Sequence, residues 1–254
     1  MSKIAAIQLS STHNVDENLV TTEKLVSEAT DNDAQLIVLP EMFAIMGKNA
    51  NDKVHIAEKY GHGMIQSFLS ESARKNNVWI VGGTIPIQCG DKNKIRAACI
   101  VYDHNGNTVA RYDKIHLFDV TISETESYRE SDTTEPGDSI IVVDTPVGKL
   151  GLAVCYDVRF LTLFTELMNR GAEIIALPSA FTVKTGQAHW HLLTRARAVD
   201  TFCYLIGSAQ VGTHANGRQT YGHTLIVDPW GNIVSEITEQ KPGIVYADID
   251  LKKL

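Results

Sequence analysis

Apolar positions in this chain gather into short unbroken runs set between longer stretches of helical spacing. Residues 3–9 form the first run and predict a strand. Beyond a polar turn, Val15, Leu19, Leu25, Val26 and Ala29 stand apolar among acidic and polar neighbours, a spacing that predicts a helix. Residues 35–39 make a second run that stops at Pro40, which has no N–H to continue pairing. A helical segment over 65–76 leads into a third run, 78–85. Runs this continuous suit strands covered on both faces.

The middle of the chain differs. Residues 113–137 are polar and charged without a clear period, so an extended connection is expected there, and long connections often carry function. Residues 150–154 resume the buried-strand pattern. Phe160, Leu163, Phe164 and Leu167 then fall at helical spacing before Gly171, a plausible stop. A strand over 174–177, a helix over roughly 188–200 and a strand over 204–209 follow. Asp228-Pro229-Trp230-Gly231-Asn232 is a turn signal between 224–227 and 233–237 and predicts a late hairpin. No repeat or linker interrupts the pattern, so residues 1–254 are expected to form one domain.

Composition adds exclusions. The 44% hydrophobic and 21% charged fractions are ordinary for a globular chain. A formal net charge of -7 argues against a nucleic-acid partner, which requires a concentrated basic surface. No apolar run approaches bilayer length and no secretory or transit signal is evident, so a cytoplasmic protein without a membrane partner is expected. Cys89, Cys99, Cys155 and Cys203 are widely spaced and form no C-x-x-C pair, which suggests neither a zinc site nor a disulfide framework.

Three residues carry candidate chemistry. Cys155 sits where a buried-strand pattern gives way to a helix, so its sulfur can project from the strand's carboxyl end, where open α/β sheets place ligands. A helix N-terminus and a nearby cation would favour the reactive thiolate. A buried structural cysteine is the alternative, since free Cys is among the most buried residue types. Glu41 also follows a buried strand and can serve as a general base, although alone it is only a loop glutamate. Lys114, entering the long connection, can stabilise an oxyanion or simply be a solvated lysine.

Their contexts change the weighing. Leu39-Pro40-Glu41-Met42-Phe43, then Arg111-Tyr112-Asp113-Lys114-Ile115-His116-Leu117-Phe118, then Gly151-Leu152-Ala153-Val154-Cys155-Tyr156-Asp157-Val158-Arg159-Phe160 resemble, in order, the three signature segments of the nitrilase superfamily of carbon-nitrogen hydrolases. The resemblance covers nearly the whole chain and implies an α/β fold, the four-layer αββα sandwich of that family. It implies a homodimer, a small-molecule amide as partner, and neither cofactor nor metal. Cys155 would attack the amide carbonyl, and Glu41 would take its proton and pass it to the leaving amine. Lys114 and the Tyr156 backbone N–H would stabilise the tetrahedral oxyanion. Glu130 matches a second family glutamate that helps orient the lysine and substrate.

Residues 178–190, from Pro178-Ser179-Ala180-Phe181 through Thr185 to His189-Trp190, resemble the branch containing ω-amidase and deaminated glutathione amidase. Both act on 2-oxoglutaryl amides. Phe181 and Thr185 match positions lining that branch's acyl pocket, and Arg159 is suited to hold the acyl carboxylate through a bidentate pair. A salt bridge from Arg159 to Asp157 is the other reading. Residues 209–214, Arg218 and Tyr221-Gly222-His223 resemble deaminated glutathione amidase more closely. That implies hydrolysis of deaminated glutathione to 2-oxoglutarate and Cys-Gly. The alternatives are ω-amidase action on 2-oxoglutaramate, or a catalytically silent interaction protein that retains the fold.

Overall fold

Strands apolar at every position need cover on two sides, and two stacked sheets provide it in the computed structural model, which describes residues 2–124 and 126–253. In space the first sheet runs Gly243–Ile249, Ser2–Gln8, Leu36–Val38, Trp79–Val81, Ile95–Tyr102, Ile85–Gln88, with Thr108–Asp113 also paired to Ile95–Tyr102. The second runs Ile233–Glu236, Leu225–Val227, Tyr204–Gly207, Ile174–Ala176, Gly148–Leu152, Val142–Thr145. Each has a parallel centre, Ser2–Gln8 to Trp79–Val81 in one and Gly148–Leu152 to Tyr204–Gly207 in the other, flanked by antiparallel strands.

Alternation along the strands of the first sheet sorts its residues between two cores. Ile4, Ala6, Leu36, Val38 and Val81 pack with Leu150, Leu152, Ile174 and Ala176 of the second sheet. Ala5, Ile7, Ile37 and Ile80 turn the other way, onto Leu25, Val26 and Ala29 of the helix Val15–Asp31 and Leu69 and Ala73 of the helix Met64–Lys75. On the outer face of the second sheet, the bare backbones of Gly151 and Gly207 admit Leu167 and Trp190 from the helices Leu161–Asn169 and Val183–Thr201. The layers are therefore helix, sheet, sheet, helix, the αββα sandwich that the resemblance implied.

Several elements depart from the sequence pattern. The run 78–85 is not one strand but two, Trp79–Val81 and Ile85–Gln88, broken at Gly82-Gly83-Thr84. Gly83 has φ +55°, and a Cβ there would stand 2.1 Å from the Pro40 carbonyl oxygen, so the break lets two backbones touch. The connection 113–137 is not simply extended, because it contains a hairpin, Asp119–Ser123 with Glu126–Arg129, and then a short 3-10 turn, Glu130–Asp132. Its strands are half-exposed and short, and the alternation of Val120 and Ile122 along Asp119–Ser123 is too brief to mark a period against the polar residues around it. The helix expected near 188 begins at Val183, capped by the Thr182 side chain, which accepts the Thr185 N–H. No pattern announces Thr108–Asp113, whose polar residues lie along the sheet margin.

Candidate active site

Glu41 lies just past the carboxyl end of Leu36–Val38, whose extension continues with Leu39 N–H donating to Val81 O at 3.0 Å. The chain then turns sharply. Met42 adopts φ +57° and donates its N–H to Thr84 Oγ1 at 2.9 Å, while the Gln210 amide donates to Glu41 O at 3.1 Å. These contacts, with the Gly83 approach to Pro40, hold a carboxylate that is only 2% exposed. A left-handed non-glycine residue persists only where its surroundings over-determine it.

Lys114 continues from Thr108–Asp113 in the same sheet, anchored by its N–H to Ala97 O at 3.0 Å. Its Nζ donates to Glu41 Oε1 at 2.7 Å and to Glu130 Oε2 at 2.8 Å. Glu130 arrives on the turn after the hairpin and also accepts the Phe118 N–H at 2.7 Å. Burial opposes the Lys114 ammonium, but Glu130 and Glu41 outweigh it and hold the group well above the ordinary lysine range. Burial likewise opposes the Glu130 carboxylate, and Lys114, Lys53 and the Phe118 N–H overcome it, so Glu130 lies below its ordinary range. The lysine is thus fixed as a cation, far from a solvated surface charge.

Cys155 comes from the other sheet, past Gly148–Leu152, and its N–H donates to Pro178 O at 2.9 Å. It has φ +49° and begins a short 3-10 turn, Cys155–Arg159, before the helix Leu161–Asn169. Asp157 secures that turn: its wholly buried carboxylate accepts from Val154 N–H at 2.8 Å, Tyr112 OH at 2.6 Å, His116 N–H at 3.0 Å and His116 Nδ1 at 2.7 Å. The helix start and a nearby cation are not the largest influences on the Cys155 thiol. Burial, then the Glu41 charge, pushes the thiol up, and Lys114 with the Ala180 N–H pulls less strongly the other way. The Cys155 thiol is hydrogen-bonded to Glu41, so the proton acceptor is already in contact.

A cavity of about 470 Å³, within the usual range for small-molecule sites, brings all the proposed residues together. Glu41, Lys114, Glu130, Cys155, Tyr156, Arg159, Phe181 and Thr185 all border it. Arg159 does not pair with Asp157, whose oxygens are already taken; its Nη2 donates to His189 Nδ1 at 3.1 Å, and its guanidinium lies over the rings of Tyr156 and Phe181. The sequence reading missed Asp157 as an organiser. It also missed Lys53 in the cavity wall and Arg218 as a wall residue. The signal for Asp157 was present in Tyr112 and His116, which flank Lys114 in its motif. Lys53, on the short helix Asp52–His55, carries no local signal.

One set of side chains has metal-ligand character. His191, His223 and Glu236 bring their donor atoms within 4.8 Å of one another. Both His191 Nε2 and His223 Nδ1 stand 2.6 Å from Glu236 Oε1, a hydrogen-bond spacing, and none of the three borders the cavity. Among the described residues, no helix is long and apolar enough to cross a membrane.

A thiol, a carboxylate and a buried ammonium thus converge on one cavity. The chain belongs to the carbon-nitrogen hydrolase family, whose pattern matches residues 3–254. It is 44% identical over 248 residues to the deaminated glutathione amidase of Yersinia enterocolitica, covering 97% of this chain and 85% of that protein. It is 40% identical to the protein of the same name from Homo sapiens, covering 99% and 77% respectively. The fold matches the Caenorhabditis elegans NitFhit protein with a TM-score of 0.92 at 36% identity, covering 99% of this chain and 61% of that one. A Saccharomyces cerevisiae member of branch 10 of the nitrilase superfamily matches with a TM-score of 0.86 at 32% identity, covering 97% and 89%. The chain is a hydrolase acting on amide carbon-nitrogen bonds.

Proposed function

We propose that this chain uses Glu41, Lys114 and Cys155 to hydrolyse deaminated glutathione to 2-oxoglutarate and Cys-Gly. The observation that carries the catalytic assignment is the Lys114 ammonium, held 2.7 Å from Glu41 in a cavity that also exposes Cys155. The substrate assignment is supported by relatives of that name and by Arg159, Phe181 and Thr185 at the cavity wall.

As the Cys155 sulfur bonds to the amide carbon, its proton passes to Glu41. The carbonyl oxygen takes up negative charge opposite Lys114 and the Tyr156 N–H, where fixed donors in a dry site stabilise it most. Collapse of this adduct breaks the carbon-nitrogen bond, with Glu41 returning the proton to the departing amine. Water, deprotonated by Glu41, then attacks the thioester, releasing the acid and restoring the thiol. Glu130 touches no reacting atom; it keeps Lys114 charged and aimed.

The reading includes residues 1–254 as one catalytic domain, working as a cytoplasmic homodimer. Unpaired cysteines suit a reducing compartment, and Leu192, Val199 and Phe202 are exposed along the helix Val183–Thr201 and at its C-cap, with Trp230 exposed nearby. The test is a panel of 2-oxoglutaramate, deaminated glutathione and a neutral aliphatic amide, with wild type and Cys155→Ser, reading release of ammonia or amine. Fastest turnover of deaminated glutathione and near-complete loss in the serine variant are expected. Preference for 2-oxoglutaramate would reassign the chain as an ω-amidase, and no turnover of any amide would leave a silent interaction protein.

A further inference from the structure

The chain as a whole is acidic, at -7, yet cations gather in the cavity wall. Arg159 is engaged with His189 and the two aromatic rings. Lys53 and Arg218 border the same cavity. Lys53 donates to Thr134 Oγ1 at 2.8 Å. Arg218 donates to Ala180 O and lies 5.2 Å over the Tyr128 ring, while its Nε is buried without a partner. Among the described residues, neither Lys53 nor Arg218 closes a salt bridge with an acidic side chain, whereas Lys114 closes two. Burial first lowers the Lys53 ammonium below its ordinary range; Glu130 and Glu41 oppose that shift, while Lys114 and, least of all, Arg218 add to it.

Two like charges partly stripped of water, one with an idle buried donor, destabilise the free protein and favour an entering anion. A single substrate carboxylate needs only Arg159. The unsatisfied pair therefore points to a second anion on the same substrate, and the acyl half already has its partner. Resting on the amidase reading above, we propose that Lys53 and Arg218 bind a carboxylate carried by the amine half of the amide. The site would then select amides that are anionic at both ends, such as a 2-oxoglutaryl dipeptide, over those releasing ammonia or a neutral amine. Among the two substrates weighed above, this is the feature that favours deaminated glutathione, whose glycine end supplies that second carboxylate.

The experiment compares kcat/KM for 2-oxoglutaryl-Cys-Gly with that for its C-terminal N-methylamide, which keeps the scissile bond and the acyl carboxylate. Wild type should prefer the free acid by about ten- to a hundredfold, the scale of one or two charge-assisted hydrogen bonds. In Lys53→Gln and Arg218→Gln that ratio should fall toward one, chiefly through KM, and Lys53→Arg and Arg218→Lys should restore part of it. A wild-type ratio near one, or equal losses on both substrates in the variants, would overturn the subsite while leaving the amidase reading intact. Failure of wild type to hydrolyse either compound would instead remove the substrate assignment on which the subsite rests.

Discussion

Lys114 sits between two carboxylates, and Glu236 sits between two imidazoles. The clusters are electrostatic mirror images: each central group makes two short contacts, at 2.7 and 2.8 Å in one and 2.6 Å twice in the other. Both also border left-handed backbone, with Met42 at φ +57° and Cys155 at +49° beside the first and His223 at +58° within the second. Neither ion pairing nor strain therefore distinguishes a reactive centre. Exposure does: the Lys114, Glu41 and Glu130 side chains are 1%, 3% and 8% exposed, against 33%, 19% and 19% for His191, Glu236 and His223. Without water to screen them, the first set fixes its charges firmly, and a cavity brings a substrate to them.

The strongest way to break this contrast is Lys114→Met. Loss of a principal oxyanion donor should lower kcat/KM by about a hundredfold or more. It also leaves two buried carboxylates without their cation, which should reduce stability by about 3–5 kcal/mol in denaturant titrations at neutral pH while the protein still folds. An activity loss under about tenfold would show that the buried lysine is structural, and the contrast would then concern packing alone.

Arg159→Lys probes the intermediate case, a half-buried cation whose partners are a histidine and two rings. A lysine cannot reproduce the planar fork. Productive binding of an amide with a free acyl carboxylate should weaken by about 1.5–3 kcal/mol, with the methyl ester of the same amide largely spared. Equal losses on acid and ester would mean that Arg159 braces the cavity wall through His189 instead.

Glu236→Gln should have the smallest effect. Burial opposes the Glu236 carboxylate, but hydrogen bonds from His191 and His223 outweigh it and place the group below its ordinary range. A lowered carboxylate contributes stability above its unfolded value and loses it as pH falls through the folded one. The variant should therefore melt slightly below wild type at pH 7, by less than about 1 kcal/mol because the cluster is partly solvated. That gap should close as pH drops below the usual glutamate range. Hydrolysis should be unaltered; a gap that widened on acidification would reverse the assigned charge state.

What the residue pattern determined is everything encoded within a turn or a strand. The apolar runs marked most central strands because burial on both faces leaves no polar position to confuse the period, and the spacing of Leu19, Leu25, Val26 and Ala29 marked a helix. The motifs around Glu41, Lys114 and Cys155 identified the family, and with Glu130 they named the residues that the cavity gathers. Local pattern was weak where polar residues fold: the hairpin that delivers Glu130 alternates only briefly, at Val120 and Ile122, and the cation of Lys53 looks like any exposed lysine. Tertiary structure alone decided that residues 73 apart, Glu41 and Lys114, share one hydrogen bond, and that Cys155 meets them from a different sheet. It also decided that burial pushes the thiol up and that Asp157 serves Tyr112 and His116 rather than Arg159. These outcomes depend on desolvation and on which surfaces close over which charges, and both arise only when the two sheets stack.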